Sequence, residues 1–168
     1  MRDVPAGRAG GPAKEIKNMV NNFERAVVTC LNRYFTEHQM RAFAYRLKQA
    51  HFNTQYVDII VDSLDPSFYL AIECKSVKGT RLYFTSNFHK DKDGTHQIEN
   101  ITSFLEYTGR RGFLAVEFRA GPKNESYLMS WETVLRFFAS QASITIDEFR
   151  KCTPLKLTRG GYQLLSPL

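Results

Sequence analysis

The sequence predicts an α/β fold in which a central mixed β-sheet is flanked by helices. The elements occur in the order helix, three strands, helix, two strands, helix, which is typical of that class. The length of 168 residues suits one domain, and 43% hydrophobic with 24% charged residues is typical of a globular protein with a buried core. We expect a flexible arm at residues 1–14, where glycine and proline are frequent, followed by a single domain over residues 15–168.

Hydrophobic periodicity and turn signals place the elements along the chain. Apolar residues recur at three- and four-residue spacing over residues 16–34, which predicts a helix of about five turns. A second helix is predicted over residues 96–107, with Thr95 as its N-cap and Gly109 as its C-cap, and Ser130 caps a shorter third helix. Strands are predicted at residues 40–47, 56–62, 68–75, 113–118 and 127–129. A polar loop over residues 80–93, a small helix near Asp147 and a short strand near Leu155 complete the prediction.

Several protein classes are excluded by composition. No apolar run approaches the roughly 18 residues that a membrane span needs, and the N-terminus has no apolar segment typical of a secretory signal. The three cysteines are scattered and odd in number, which argues against a disulfide framework or a zinc site and suits a reducing compartment. We therefore expect a cytoplasmic protein, in the host cytoplasm if the chain is viral, with no membrane partner.

The charge distribution points towards a polyanionic partner. The formal net charge is +6, and basic residues cluster over residues 33–48 and 75–92 against one acidic residue in each segment. Such clusters are expected where a protein binds a phosphate backbone, and a solvated basic face has the same composition. Charge alone leaves both interpretations open.

Acidic residues inside predicted strands are the first sign of a chemical site. Asp58 interrupts an apolar strand, and Glu73 lies two residues before Lys75, so that both side chains leave the same face of the next strand. The turn composition of residues 64–67 predicts that the two strands pair as a hairpin, which would bring Asp58 beside Glu73. Burying carboxylates is costly unless a positive group or a metal compensates for them.

Two carboxylates and a backbone carbonyl, such as that of Cys74, provide hard oxygen ligands of the kind that Mg²⁺ or Mn²⁺ takes. A nearby lysine would then stabilise charge on a phosphate or orient a water molecule. The structural alternative is an ordinary ion pair between Glu73 and Lys75 on an edge strand, with Asp58 as a polar residue near a turn.

Four segments in this order carry a family resemblance. They are NFER at residues 22–25, YVD at 56–58, YLAIECK at 69–75, and NFH at 87–89 with HQIE at 96–99, followed by a glycine-to-phenylalanine strand at 109–118. Together they resemble the PD-(D/E)xK nuclease superfamily and, within it, the Holliday junction resolvases of the archaeal Hjc type and their bacterial relative RecU. The resemblance covers about two thirds of the chain, and residues 130–168 match nothing in it. The residue before Asp58 is valine where the family has proline, and the loop between Arg46 and Asp58 is longer than in the Hjc type.

The resemblance implies a restriction-endonuclease-like fold and assigns roles to residues. Asp58, Glu73 and Glu24, with the carbonyl of Cys74, would bind Mg²⁺, for which Mn²⁺ substitutes; Lys75 would be the catalytic lysine, and Gln97 would hold a metal-bound water or a phosphate. The alternative for Glu24 is an ion pair with a neighbour such as Arg25. The expected DNA-binding residues are Arg25, Arg41, Arg46, Lys48, Lys78, Arg81, His89, Lys90 and Lys92.

The same resemblance implies a metal-dependent DNA endonuclease that resolves four-way junctions by paired symmetric cuts. Two opposed cuts from one site per chain imply a homodimer bound to branched DNA. Two alternatives stay open at this point. One is another nuclease of the superfamily that acts on duplex or flap DNA, and the other is a non-catalytic nucleic-acid-binding module on the same fold.

Overall fold

A computed structural model describes residues 12–47, 55–158 and 161–164. The helices are α1 (Pro12–Glu37), α2 (Phe84–Asn87), α3 (Gln97–Thr108), α4 (Trp131–Ser140) and α5 (Ile146–Phe149). The strands are β1 (Ala42–Arg46), β2 (Ile59–Ser63), β3 (Leu70–Lys78), β4 (Arg81–Tyr83), β5 (Arg111–Arg119), β6 (Glu125–Ser130), β7 (Ser143–Thr145), β8 (Thr153–Thr158) and β9 (Gly161–Leu164). Most of the predicted arm, residues 1–11, lies outside the described residues, and residues 12–14 are helical.

The predicted fold class is confirmed, because one mixed seven-stranded sheet has helices on both of its faces. Its strand order is β1-β2-β3-β5-β6-β8-β9. The pair β3–β5 is parallel, and every other pair of neighbours is antiparallel. The predicted hairpin is present as β2 and β3, joined through a short 3-10 helix at Pro66–Phe68. Strands β4 and β7 form a separate two-stranded sheet, so β4 and α2 occupy part of the predicted polar loop.

Two hydrophobic cores lie on the two faces of the sheet. One forms around the apolar stripe of α1, where Phe23, Val27 and Leu31 are buried against residues such as Ile72 and Cys74 of β3. The other forms around α3 and α4 and takes the alternate residues of β3, including Ala71 and Val77. Since successive side chains of a strand point to opposite faces, residues 73 and 75 belong to the α3 face and Cys74 to the α1 face. Among the described helices, none combines the length and the apolar character that crossing a membrane requires.

The N-cap of α3 differs from the prediction. His96, rather than Thr95, is the cap: its Nδ1 accepts the Ile98 N–H at 3.2 Å, and the Glu99 carboxylate accepts the His96 N–H at 3.0 Å. With Nδ1 accepting, Nε2 is the donor to the Phe84 carbonyl at 3.1 Å, so the buried imidazole has a structural role. The predicted caps at Gly109, which is left-handed with φ of 68°, and at Ser130 are confirmed.

Gly112 of β5 gives a sharp test of how α3 and α4 pack on the sheet. A Cβ atom added there would lie 2.3 Å from Leu105 Cδ1 and 2.7 Å from Trp131 Cβ. The tryptophan Cβ is fixed to its backbone and also tied to α3, because its indole N–H donates to Thr102 Oγ1 at 3.0 Å. We expect Gly112→Ala to lower the free energy of unfolding by about 2–3 kcal/mol, the cost of overpacking a filled core.

Thermal unfolding followed by circular dichroism measures this change, with an expected decrease of the melting temperature of roughly 5–10 °C. Gly121→Ala is the matched control, since Gly121 has no atom within 4 Å of its added Cβ and no left-handed φ. Equal melting temperatures for the two variants would contradict the described packing.

Candidate active site

The candidate site lies where the sheet forks. In the described part of the chain β2 pairs with the first half of β3, through Ile59 with Ile72 and Val61 with Leu70. Strand β3 then continues beside β5 to Lys78. The Asp58 N–H donates to the Ile72 carbonyl at 3.1 Å, just before β2 begins. Asp58 therefore stands at the fork, immediately before the strand in whose interior the sequence had placed it.

The Asp58 carboxylate continues the hydrogen bonding of the strand into the fork. Its Oδ2 accepts the Cys74 N–H at 2.8 Å, and its Oδ1 accepts Gln55 Nε2 at 3.2 Å. Because the N–H and C=O of one strand residue point to the same edge, the Cys74 carbonyl also faces Asp58. Burial raises the pKa of Asp58, and the Cys74 N–H and the charge of Lys75 oppose that shift.

Glu73, Lys75 and Gln97 form a closed set of contacts on the α3 face. Lys75 Nζ lies 2.7 Å from Glu73 Oε1, and the Gln97 amide connects the two, donating to Glu73 Oε1 at 2.8 Å and accepting from Lys75 at 3.2 Å. The Glu73 side chain is almost fully buried, and this burial raises its pKa to about 7 against the lowering effect of Lys75. Gln97 thus holds both charged groups in place from the first turn of α3.

One cavity of about 370 Å³ is lined by Asp58, Glu73, Lys75 and Gln97. The other lining residues are Gln55, Cys74, Ser76, Ser86, Asn87 and His89. The expectation that Asp58, Glu73 and Lys75 converge is confirmed, and their chemical roles stay predictions. The ion pair of the structural alternative is present, but its placement on an edge strand is wrong, because β3 is an interior strand and Glu73 is only 3% exposed.

Glu24 is buried on α1, and its partner is Arg46 rather than Arg25. Arg46 Nε donates to Glu24 Oε2 at 2.7 Å, and a terminal guanidinium nitrogen contacts the same oxygen. Burial and the nearby Asp58 charge raise the pKa of Glu24, while Arg46 lowers it. In the described part of the chain, no three His, Cys, Asp or Glu side chains are grouped to hold a metal ion. A metal-binding role for Glu24 stays a prediction.

The predicted DNA-binding residues occupy different positions around this site. His89 lines the cavity, and Arg46 is held by Glu24. Arg41 precedes the far end of β1, roughly 16 Å along the strand from Arg46, so it does not line the cavity. Lys48 lies outside the described residues. The other predicted DNA-binding residues have exposed side chains: Arg25, Lys78, Arg81, Lys90 and Lys92.

Sequence reasoning missed three polar residues near the cavity. Gln55 contacts Asp58, and Ser76 lines the cavity while donating to the Glu117 carboxylate at 2.8 Å. Glu117 is a buried acid in β5 that also accepts from Tyr162 OH at 3.0 Å. Its position inside an apolar strand is the same signal that marked Asp58. No comparable signal marks Gln55 or Ser76, because polar residues are common in such loops and strand ends.

The raised pKa of Glu73 makes stability depend on pH in the metal-free protein. Between the ordinary glutamate pKa of 4.5 and about 7, the folded state keeps a proton that the unfolded state releases. The free energy of unfolding therefore falls as the pH rises through this window. The raised pKa values of Asp58 and Glu24 act in the same direction. We expect Glu73→Gln to remove about 1–3 kcal/mol of this pH-dependent loss.

Urea unfolding in EDTA at pH 5, 6, 7 and 8 measures the effect. The control is Glu106→Gln, which makes the same chemical change at an exposed position of α3. It should keep the wild-type pH dependence. A Glu73→Gln variant that loses as much stability with rising pH as the wild type would show that Glu73 does not carry the shift.

Comparisons with known proteins find similarity among solved structures. No protein-family model matches the chain, and no curated protein matches it. Among solved structures, the chain is similar to Hjc, a Holliday junction resolvase from the archaeal hyperthermophile Archaeoglobus fulgidus, with 18% identity and a TM-score of 0.48. The match covers 74% of this chain and 92% of the Hjc chain. A match at this level assigns neither activity nor substrate to the present chain.

Proposed function

We propose that the protein is a Mg²⁺-dependent DNA endonuclease that resolves four-way junctions by paired symmetric hydrolysis of phosphodiester bonds. The observation that carries this proposal is the convergence of two carboxylates and one ammonium group, from Asp58, Glu73 and Lys75, on one cavity at the fork of the sheet. Burying two carboxylates close together is unfavourable unless positive charge compensates both of them. A single lysine compensates only one, so a bound cation would compensate the other.

The donor set fits a magnesium ion. The Asp58 and Glu73 carboxylates and the Cys74 carbonyl supply hard oxygen ligands, and Mg²⁺ commonly takes one or two carboxylates and keeps several waters. Manganese suits the same ligands. When bound, such an ion lowers the pKa of a water molecule and polarises a phosphoryl oxygen. Glu24 would join the set if Arg46 left it for a DNA phosphate.

The protein's own groups then have distinct tasks. Lys75 places a positive charge beside the position of the scissile phosphate, where it stabilises the charge that develops during hydrolysis. Gln97 also acts as a positioning residue, because its amide donates to Glu73 and accepts from Lys75. One amide N–H and one oxygen lone pair are left over, so the expectation that Gln97 holds a metal-bound water or a phosphate stays a prediction.

The substrate assignment follows from the motif resemblance and from charge. His89 lines the cavity. Exposed positive charge comes from Arg25, Lys78, Arg81, Lys90 and Lys92. Contacts of this type bind phosphates without reading sequence, so selection would depend on the shape of the branch point. Two opposed cuts require two sites, which we propose are supplied by a homodimer.

Cleavage of three substrates in Mg²⁺ tests the proposal. A labelled four-way junction, a flap and a linear duplex of matched sequence are incubated with the protein, and the products are mapped on a denaturing gel. We expect symmetric nicks in the junction and little cutting of the duplex. Equal cutting of all three would favour a general nuclease of the superfamily, and binding without any cutting would favour a non-catalytic module.

A further inference from the structure

A second groove opens where β6 and β8 separate. These strands pair through Tyr127 with Pro154 and Leu128 with Thr153. Beyond those pairs β8 follows β9, with which it pairs over four positions, and a cavity of about 800 Å³ forms between β8 and the start of β6. One wall of this groove, at residues 154–158, belongs to the C-terminal part of the chain, for which the motif resemblance offered no role.

The groove combines apolar walls with a positive rim. Pro122 and Tyr127 form part of one wall and Pro154 and Leu155 part of the other, while Lys123 and Lys156 are exposed at the rim. This mixture suits a sugar–phosphate backbone, which alternates apolar sugars with anionic phosphates.

The acidic residue of the groove is paired with Arg150, which also binds Asp147. Glu125 accepts from the Arg150 guanidinium at 2.7 and 3.0 Å and from Tyr127 OH at 2.5 Å, and these bonds lower its pKa to about 2. Glu125 is the one carboxylate among the groove-lining residues that the structure describes. Two lysines against this one carboxylate give the groove-lining residues a net positive charge.

The groove lies at the same level of the sheet as the candidate active site. Ser126 pairs with Glu117 across β5 and β6, and Glu117 pairs with Ser76 across β3 and β5, where Ser76 lines the first cavity. Two strand spacings, about 10 Å, separate Ser76 of the first cavity from Ser126 of the groove. A DNA strand presents about three phosphates over 10 Å of helix axis, so one DNA arm spans the distance.

We propose that this groove binds the sugar–phosphate backbone of a DNA arm that leads away from the cleaved position. The inference rests on the proposed function only in taking the polyanion to be DNA. It assigns Lys123 and Lys156 to phosphate contacts, and it gives the segment after residue 129 a part in substrate binding.

Salt-dependent binding tests the groove. Fluorescence anisotropy of a labelled four-way junction is measured in EDTA from 50 to 200 mM NaCl for the wild type and for the double variant Lys123→Gln/Lys156→Gln. Loss of two phosphate contacts reduces the slope of log affinity against log salt by about 2. Over this range the wild type should therefore lose roughly tenfold more affinity than the double variant does.

The matched control is the double variant Arg136→Gln/Lys151→Gln, which removes two positive charges from exposed positions that line neither cavity. It should keep the wild-type slope, and circular dichroism verifies that each variant is folded. A groove variant with the wild-type slope, or two doubles with equally reduced slopes, would overturn the proposal.

The two proposals fail separately in these assays. A wild type that binds the junction but never cuts it would overturn the proposed function and leave the groove supported by a reduced slope. A wild type that cuts the junction while the groove variant binds with an unchanged slope would overturn the groove alone.

Discussion

Replacing Asp58 by asparagine is expected to lower the rate of junction cleavage by about a thousandfold, which corresponds to about 4 kcal/mol of transition-state free energy. The amide keeps an oxygen that accepts the Cys74 N–H, so the fork of the sheet should stay intact. The negative charge that would hold a divalent cation is lost, and with it the charge stabilisation that such an ion supplies. Junction affinity, which depends on basic side chains, should change little.

The measurement needs both cleavage and binding. Single-turnover cleavage with Mg²⁺ gives the rate constant at saturating protein, and anisotropy in EDTA gives Kd for the junction. Asp62→Asn is the matched control, because Asp62 lies on β2 at the opposite end, exposed, and bound to Arg110 and Tyr45. It should cut like the wild type. Wild-type cleavage by Asp58→Asn would remove the central support of the proposed function.

Local signals in the sequence were sufficient to predict that the central residues of this site come together. The turn composition before Phe68 predicted the pairing of β2 with β3, and strand parity placed Glu73 and Lys75 on one face. Those two rules act over a few residues, so they do not depend on the rest of the fold. Gln97 was expected at the start of a helix, and α3 does begin there.

Contacts between distant segments could not be predicted in the same way. The pairing of Glu24 with Arg46 depends on how α1 crosses the sheet, and nothing in the sequence near either residue indicates it. The small sheet joins Leu82 to Ile144, and three-residue strands are too short to show a period. The groove depends on where β8 leaves β6, which is a property of the folded sheet rather than of either strand.

Replacing Lys75 by methionine is expected to lower the cleavage rate constant at saturating junction by about 10²–10³-fold, the usual loss when one electrostatic stabiliser is removed. Methionine fills a similar volume without charge, so the packing around Glu73 should be preserved. A second consequence follows from the contact of 2.7 Å with Glu73. Because the lysine charge lowers the pKa of that carboxylate, its removal raises the pKa further and makes Mg²⁺ binding require a higher pH.

The control Lys78→Met makes the same change three residues further along β3, at an exposed position predicted to contact DNA. It should raise Kd for the junction and leave the rate constant at saturation unchanged, whereas Lys75→Met should do the reverse. Calorimetric titration with Mg²⁺ at pH 6, 7 and 8 separates the electrostatic effect on Glu73 from the effect on the reaction. If Lys75→Met changes only Kd and leaves the pH dependence of Mg²⁺ affinity as in the wild type, then the ammonium group acts as one more phosphate contact, and the hydrolytic role belongs to another residue.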